Sequence, residues 1–290
     1  MLSPILPMLE NETLFQIAEE NNLNNPKFSR LTGGDINEVF LINSEGKKQV
    51  VKINHAGKFP GMFAAEKAGL EALQDPGVID VPKVLNLGEI GETAYLLLEF
   101  KEGAAKSKDF WTTFGKQMAA LHKTTSKEFG FHQDNYIGSL PQRNNRKTSA
   151  ADFYISERLE PQLKLAKDKG YELGVQNSFF RNISALIPEE KPSLIHGDLW
   201  GGNYLVNAEG NPCLIDPATA FAPREMDLAM MKLFGGFDQK LFEVYNQEFP
   251  LEPGLEDRIP LWQFYYLLVH LNLFGAGYKP QVTGIIKKFS

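Results

Sequence analysis

The stretch Leu194-Ile195-His196-Gly197-Asp198-Leu199-Trp200-Gly201-Gly202-Asn203, followed by Asp216 in Leu214-Ile215-Asp216-Pro217, constrains this chain more than any other segment. Asn203 follows Asp198 at the interval found in the phosphotransferase catalytic loop H-R-D-x-x-x-x-N. Between Asn203 and Asp216 lie a strand-like run (204–206), a turn punctuated by Gly210 and Pro212, and a second apolar run (213–215). A hairpin of this kind returns Asp216 to the side of Asn203. Two oxygen ligands can then hold Mg²⁺ while Asp198 faces an acceptor hydroxyl. The fold must therefore present a loop, a hairpin and a second loop to one cleft.

The rest of the 290 residues supplies a matching frame. A helix is expected over about 11–22, then alternating runs at 28–31, 38–42 and 49–53, with a turn at 43–46. A helix follows at 59–73, and two more strands at 81–85 and 94–98. Beyond residue 103 helical patterns dominate: 110–124, 150–169, 177–186, 238–248 and 255–274. The order implies an α+β chain with a bilobal, protein-kinase-like fold. Its N-lobe (1–98) is a small antiparallel β-sheet plus a helix, 99–103 is a hinge, and 104–290 is a mostly helical C-lobe.

Composition narrows the partners. A formal net charge of −6 with no basic run argues against nucleic acid and anionic membranes. The apolar stretch 264–274 carries His270 and Asn272 and is too short to span a bilayer. The first residues lack a basic start and are broken by prolines, unlike a secretory signal. Cys213, the only cysteine, cannot form an intrachain disulfide and reads as a small buried hydrophobe. The expected compartment is the cytoplasm.

Several residues admit both a chemical role and a plainer structural one. Lys52 in Val50-Val51-Lys52-Ile53 is either an edge-strand lysine turned to water or a lysine serving a ligand. The catalytic segment downstream favours the second, with Glu66 on the following helix as partner. The Gly33-Gly34 turn lies just before the lysine strand, where backbone amides can approach phosphates, although it is neither G-x-G-x-x-G nor a Walker loop. Glu99, Phe100 and Lys101 at the hinge are expected beside the adenine of ATP. His196 is assigned to anchoring the loop and Asp227 to capping or bracing it. Trp200 can face the C–H surface of a sugar or sit in the core. Glu225, His270 and Asn272 are candidates for substrate contact, the last two equally for a hydrogen-bonded core pair.

Gly197 stands where a protein kinase has Arg, and Asp227 follows Asp216 by only eleven positions. That leaves no room for a phosphorylation-switched activation segment with a peptide platform, so the acceptor should be small. A metal-dependent hydrolase is disfavoured, because the five histidines form no H-x-H or H-E-x-x-H pair.

The chain resembles the fructosamine kinase (ketosamine-3-kinase) family, within the aminoglycoside phosphotransferase-like kinases. The resemblance spans nearly the whole chain: Gly33-Gly34-Asp35-Ile36-Asn37, Val81-Pro82-Lys83-Val84, Phe129-Gly130-Phe131-His132 and Glu157-Arg158-Leu159-Glu160-Pro161-Gln162. It continues through His196 to Asn203, Asp216-Pro217-Ala218, Arg224-Glu225-Met226-Asp227-Leu228-Ala229-Met230 and Leu271-Asn272-Leu273-Phe274-Gly275. The H-G-D-L-x-x-x-N core is common to aminoglycoside- and choline-kinase relatives. The Trp after Leu, the R-E-x-D-L-A-M run and the L-F-G stretch favour the fructosamine branch. The resemblance implies ATP- and Mg²⁺-dependent phosphorylation of the 3-hydroxyl of a free or protein-linked ketosamine, a deglycation activity. The alternatives are another aminoglycoside- or choline-kinase-like phosphotransferase, or a nucleotide-binding regulator without catalysis. Some relatives carry a cysteine in the nucleotide loop; none lies between Leu31 and Val39 here, so no thiol switch is carried over.

Overall fold

A computed structural model describes residues 8–31 and 36–290; Gly33 and Gly34 lie outside the described residues. Helix α1 (Met8–Glu20) precedes strands β1 (Lys27–Arg30), β2 (Glu38–Ser44) and β3 (Lys47–His55). Then come α2 (Met62–Gln74), β4 (Val84–Ile90) and β5 (Thr93–Glu99). The strands form one antiparallel sheet in the order β1-β2-β3-β5-β4. Strand periodicity of two sorts its side chains. Phe40, Ile42, Val51, Ile53, Tyr95 and Leu97 pack with Leu14 and Ile17 of α1. Lys52, between Val51 and Ile53, is thereby sent to the opposite face, toward α2.

The first helix stops at residue 20, earlier than its apolar pattern suggested. Asn22 takes a left-handed conformation (φ 55°), and the Leu23 N–H bonds back to Ala18 O at 2.8 Å, a C-terminal cap. Strand β4 begins at Val84, not 81, since Pro82 has no N–H to give a ladder.

Residues 100–107 carry no regular structure. The remainder is α3 (Phe110–His122), a hairpin β6 (Asn135–Ile137) and β7 (Leu140–Gln142), α4 (Ala150–Phe153), a π-helical turn (Tyr154–Leu159), α5 (Glu160–Asp168) and α6 (Asn177–Leu186). It continues with β8 (Ser193–Ile195), the hairpin β9 (Tyr204–Val206) and β10 (Pro212–Leu214), β11 (Ala220–Ala222), α7 (Glu225–Phe234), α8 (Gln239–Glu248), α9 (Leu255–Phe274) and α10 (Lys279–Phe289). The single helix expected over 150–169 contains the π turn for a chemical reason. Pro161 has no N–H for the Glu157 carbonyl, which instead accepts from Arg158 Nη1 at 3.2 Å.

One apolar cluster bridges the expected lobe boundary. One cluster joins Phe63, Leu70 and Leu73 of α2 and Leu96 and Leu98 of β5 to Phe114 and Met118 of α3, Leu199, Leu214, Leu228 and Tyr245. A second is built round α9, with Trp262, Tyr265 and Tyr266 fully buried.

Candidate active site

Strand β8 delivers the chain to His196, whose carbonyl accepts from Ala218 N at 2.9 Å. Gly197 has φ 83°, and a Cβ there would lie 2.2 Å from Ala218 O. Only glycine fits, so the position where a protein kinase carries Arg is closed by backbone. Asp227, buried at the start of α7, accepts from the N–H groups of His196 and Gly197, both at 2.8 Å, and pairs with His122 Nε2 at 3.2 Å. Burial opposes its charge, but His122 and these N–H groups outweigh it and hold its carboxyl below the usual range. His196 is kept neutral by burial, its pKa lowered; its ring sits between Ile215 O (2.8 Å, Nε2) and Asp198 N (3.2 Å, Nδ1). The two residues fix the loop without facing the cleft.

Asp198, Asn203 and Asp216 converge as the spacing requires. Asn203 Nδ2 donates to Asp198 O at 2.8 Å and Asp198 Oδ2 at 3.2 Å. Ile215 N bonds Asn203 O at 3.1 Å, closing the β9–β10 hairpin on the loop. Asp216 stands in a left-handed conformation (φ 56°), which turns it out of the strand and into the cleft. Lys52 reaches across to Glu66 Oε1 at 2.5 Å and to Asp216 Oδ1. Burial opposes the Lys52 charge, yet Asp216 and Glu66 overcome it and raise its pKa. Asp198 is pushed up to about 8, by its recess in the protein first and by neighbouring Asp216 second, against the bond from Asn203.

These side chains line a cavity of about 610 Å³. Its other walls are Ile36, Asn37, Met62 and Ala65; the tip of the β6–β7 hairpin; and Trp200, Phe234, His270, Leu273, Phe274 and Tyr278. Trp200 is 44% exposed at this rim, which removes the core reading for it. A Cβ on Gly202 would lie 2.3 Å from its ring, so glycine lets the indole fold over the loop. His270 lines the cavity, its Nδ1–H held by Tyr266 O at 2.8 Å and its ring 4.5 Å from that of Phe234.

Two expected substrate contacts are corrected. Glu225 is fully buried and does not line the cavity: Arg258 Nε (2.8 Å) and Nη2 (2.5 Å) and Trp262 Nε1 (2.7 Å) all donate to it. Asn272 is buried too, donating to Gln162 O at 2.9 Å and Oε1 at 2.8 Å; it faces away from His270 and joins α9 to α5. At the hinge, Glu99 N bonds Lys83 O at 2.9 Å, Lys101 pairs with Asp80 at 2.9 Å and Glu99 at 3.0 Å, and the Phe100 ring takes Lys48 Nζ at 5.2 Å. These residues do not line the 610 Å³ cavity.

The β6–β7 hairpin is an element at the site that the sequence reading missed. Tyr136 OH donates to Pro60 O at 2.9 Å, and Asn135 Nδ2 to Thr219 O at 2.8 Å, so the hairpin ties the approach to α2 to the loop after Asp216. Its sequence signal was the Gly138-Ser139 pair between Tyr136-Ile137 and Leu140, a two-residue hairpin turn.

The oxygen set of Asn203 and Asp216 fits a hard cation that completes its shell with phosphates and water. Among the described residues no cluster of three His, Cys, Asp or Glu forms a dedicated metal cage, and none is needed for such an ion. Fold and cleft together are those of a kinase-type phosphotransferase. Residues 8–290 match the fructosamine kinase family model, and the chain belongs to that family. It is 38% identical over 272 residues to a "probable ketoamine kinase" of Enterococcus faecium, covering 91% of this chain and 96% of that one. It is 33% identical to the chloroplastic protein-ribulosamine 3-kinase of Arabidopsis thaliana, covering 91% of this chain and 82% of that one. A crystal structure of a "putative fructosamine-3-kinase" from Haemophilus somnus superposes with a TM-score of 0.84 at 30% identity, over 94% and 95% of the two chains. An aminoglycoside phosphotransferase in ternary complex with ADP and hygromycin B shares the fold, with a TM-score of 0.62 at 17% identity over 94% and 97%. Family members are phosphotransferases acting on hydroxyl groups of ketosamines, and this chain is an enzyme of that class. Among the described residues no helix is long and apolar enough to cross a membrane.

Proposed function

We propose that the protein transfers the γ-phosphoryl group of ATP to the 3-hydroxyl of a ketosamine, free or carried on a protein, with Mg²⁺ bound by Asn203 and Asp216. The observation that carries this is the meeting of Lys52, Asp198, Asn203 and Asp216 in one cavity, in a chain of this family. Lys52, buried and held by Glu66, presents a fixed positive charge to the phosphates. Mg²⁺, when bound, supplies charge neutralisation at the transferring phosphoryl oxygens. Asp198 orients the acceptor hydroxyl and takes its proton as the oxygen–phosphorus bond forms and the bond to ADP breaks. Trp200 offers a flat apolar face to the ketose C–H surface. Glu99 to Lys101 are the residues assigned to the adenine. The single cysteine, free and buried, suits a reducing compartment such as the cytoplasm.

Asp198→Asn keeps the bond from Asn203 and loses the base. Turnover on fructosamine, ribulosamine and erythrulosamine derivatives should fall by about 10²- to 10⁴-fold, with ATP affinity within about threefold by calorimetry. Near-normal turnover in this variant would remove Asp198 from the mechanism. Wild-type turnover on aminoglycosides or choline but on no ketosamine would move the protein to the neighbouring phosphotransferases. Absence of any turnover would leave the regulator reading.

A further inference from the structure

Three buried side chains form one line of hydrogen bonds against the loop that follows Asp216. Tyr265 of α9, Gln142 of β7 and Asn135 of β6 are 1%, 3% and 5% exposed, and the last two face each other in the hairpin register. Tyr265 OH donates to Gln142 Oε1 at 2.5 Å; Gln142 Nε2 donates to Asn135 Oδ1 at 2.7 Å and to Ala218 O at 3.3 Å. Asn135 Nδ2 donates in turn to Thr219 O at 2.8 Å. Chemistry fixes this direction. A peptide carbonyl only accepts, so both amides must turn their NH₂ groups to the loop, which leaves Gln142 Oε1 as the acceptor for the tyrosine. A buried network paired in this way holds one geometry, because a group that lost its partner would find no water to replace it.

The two carbonyls that end the line belong to consecutive residues just beyond Asp216. Asp216 itself stands at φ 56°, where the Cβ of an L-residue crowds its own backbone; such a conformation persists only when its surroundings hold it. On the N-terminal side the catalytic loop does so: Ile215 N bonds Asn203 O at 3.1 Å, and His196 Nε2 donates to Ile215 O at 2.8 Å. On the C-terminal side Ala218 N reaches His196 O at 2.9 Å, while the Ala218 and Thr219 carbonyls are taken by Gln142 and Asn135. Gln142 does not line the cavity and acts on it only through what it holds. Resting on the reading of Asp216 as a Mg²⁺ ligand, we infer that Gln142, with Tyr265 and Asn135 on either side of it, is a positioning residue. It keeps Asp216 in its left-handed conformation and so sets the metal affinity of the site.

The test is a ratio of two calorimetric affinities, that for AMP-PNP with Mn²⁺ over that for AMP-PNP in EDTA, which isolates the contribution of the metal. Gln142→Met keeps the length of the side chain and removes both bonds to the loop side. It should lower the ratio about tenfold, with metal-free AMP-PNP affinity within about twofold of wild type. Tyr265→Phe leaves both amides in place and frees only the Gln142 oxygen, so its ratio should fall by about threefold. Gln162→Met is the control: Gln162 is an equally buried amide, paired with Asn272 elsewhere on α9. That variant should lower the urea midpoint and leave the ratio at its wild-type value. A ratio unchanged in Gln142→Met and Tyr265→Phe, or lowered as far by Gln162→Met, overturns the inference while the metal site stands. If Gln142→Met does not fold, Tyr265→Phe decides alone, and an unchanged ratio there overturns the inference. Asp216→Ala marks the floor: a wild-type ratio no higher than in that variant overturns the metal reading of Asp216, and the positioning role with it.

Discussion

Asp227 receives its hydrogen bonds from two backbone N–H groups and an imidazole, and none comes from a reacting atom. Asparagine in its place accepts with one oxygen and turns an amide N–H toward donors, leaving a buried backbone N–H unsatisfied. Asp227→Asn should therefore cost about 3 kcal/mol at neutral pH. The sign of the pH dependence follows from the lowered carboxyl pKa. A depressed carboxylate contributes stability above its unfolded value, here 3.8, and loses it as pH falls through the folded value. Urea unfolding from pH 7 to pH 3 should show the wild-type advantage full at the top and shrinking below about pH 4. A constant gap down to pH 3 would mean the charge contributes nothing. The same scale shows what local spacing does not reveal. His196, Asp198, Asn203 and Asp216 were legible because a loop and one hairpin bring them together within a short stretch of chain. Glu225 and Asn272 were misread because their partners, Arg258, Trp262 and Gln162, are distant in sequence. A polar residue on an apolar helix announces that it has a partner, not whether that partner is substrate or protein.

Helix α2 carries Glu66, and its position decides whether Lys52 is held. Gly69, one turn on, allows the helix to lie against the loop after Asp216: a Cβ there would sit 3.1 Å from Thr219 Oγ1 and 3.2 Å from Pro217 Cγ. A branched side chain in that space must push the helix away, and residues three apart share a face, so Glu66 moves with it. Gly69→Val should lower kcat/KM for ATP by about tenfold or more, and Gly69→Ala by clearly less. Steady-state kinetics on both settles it; equal activity in all three proteins would show that the contact does not position Glu66. Elements of this length and periodicity could be read from sequence, with their ends moved by a residue or a few through Asn22, Pro82 and the π turn before Pro161. The β6–β7 hairpin was missed since strands of three residues carry too little alternation to separate from loop. Helix α10 escaped for a different reason: its buried Val282, Ile286 and Phe289 are spaced among Gly284, Lys287 and Lys288, and only the α9 surface they cover makes the pattern meaningful.

At the scale of the molecule, the two lobes read from the order of elements share one apolar cluster, beside one that each keeps to itself. Phe63, Leu70 and Leu73 from α2 and Leu96 and Leu98 from β5 pack directly with Phe114, Leu199, Leu214 and Leu228. The loop before β4 adds a polar tie, where Asp80 receives Lys101 Nζ and Asn207 Nδ2, both at 2.9 Å, and its carbonyl receives Leu214 N at 2.9 Å. Lobes joined only by a hinge would each keep a separate core and could unfold apart. Here, exposing the α2 face of the sheet also exposes the apolar surface of α3 and the catalytic loop to water, so loss of structure in one half costs the other its burial as well. The protein should unfold in one transition. Its three tryptophans all lie beyond the hinge, at 111, 200 and 262, while far-ultraviolet circular dichroism reports sheet and helices together. Urea curves from tryptophan fluorescence and from circular dichroism should therefore superpose, with one midpoint and one slope. Two separated midpoints, with dichroism lost before fluorescence, would mean that the N-terminal sheet unfolds on its own and that the shared cluster does not couple the lobes.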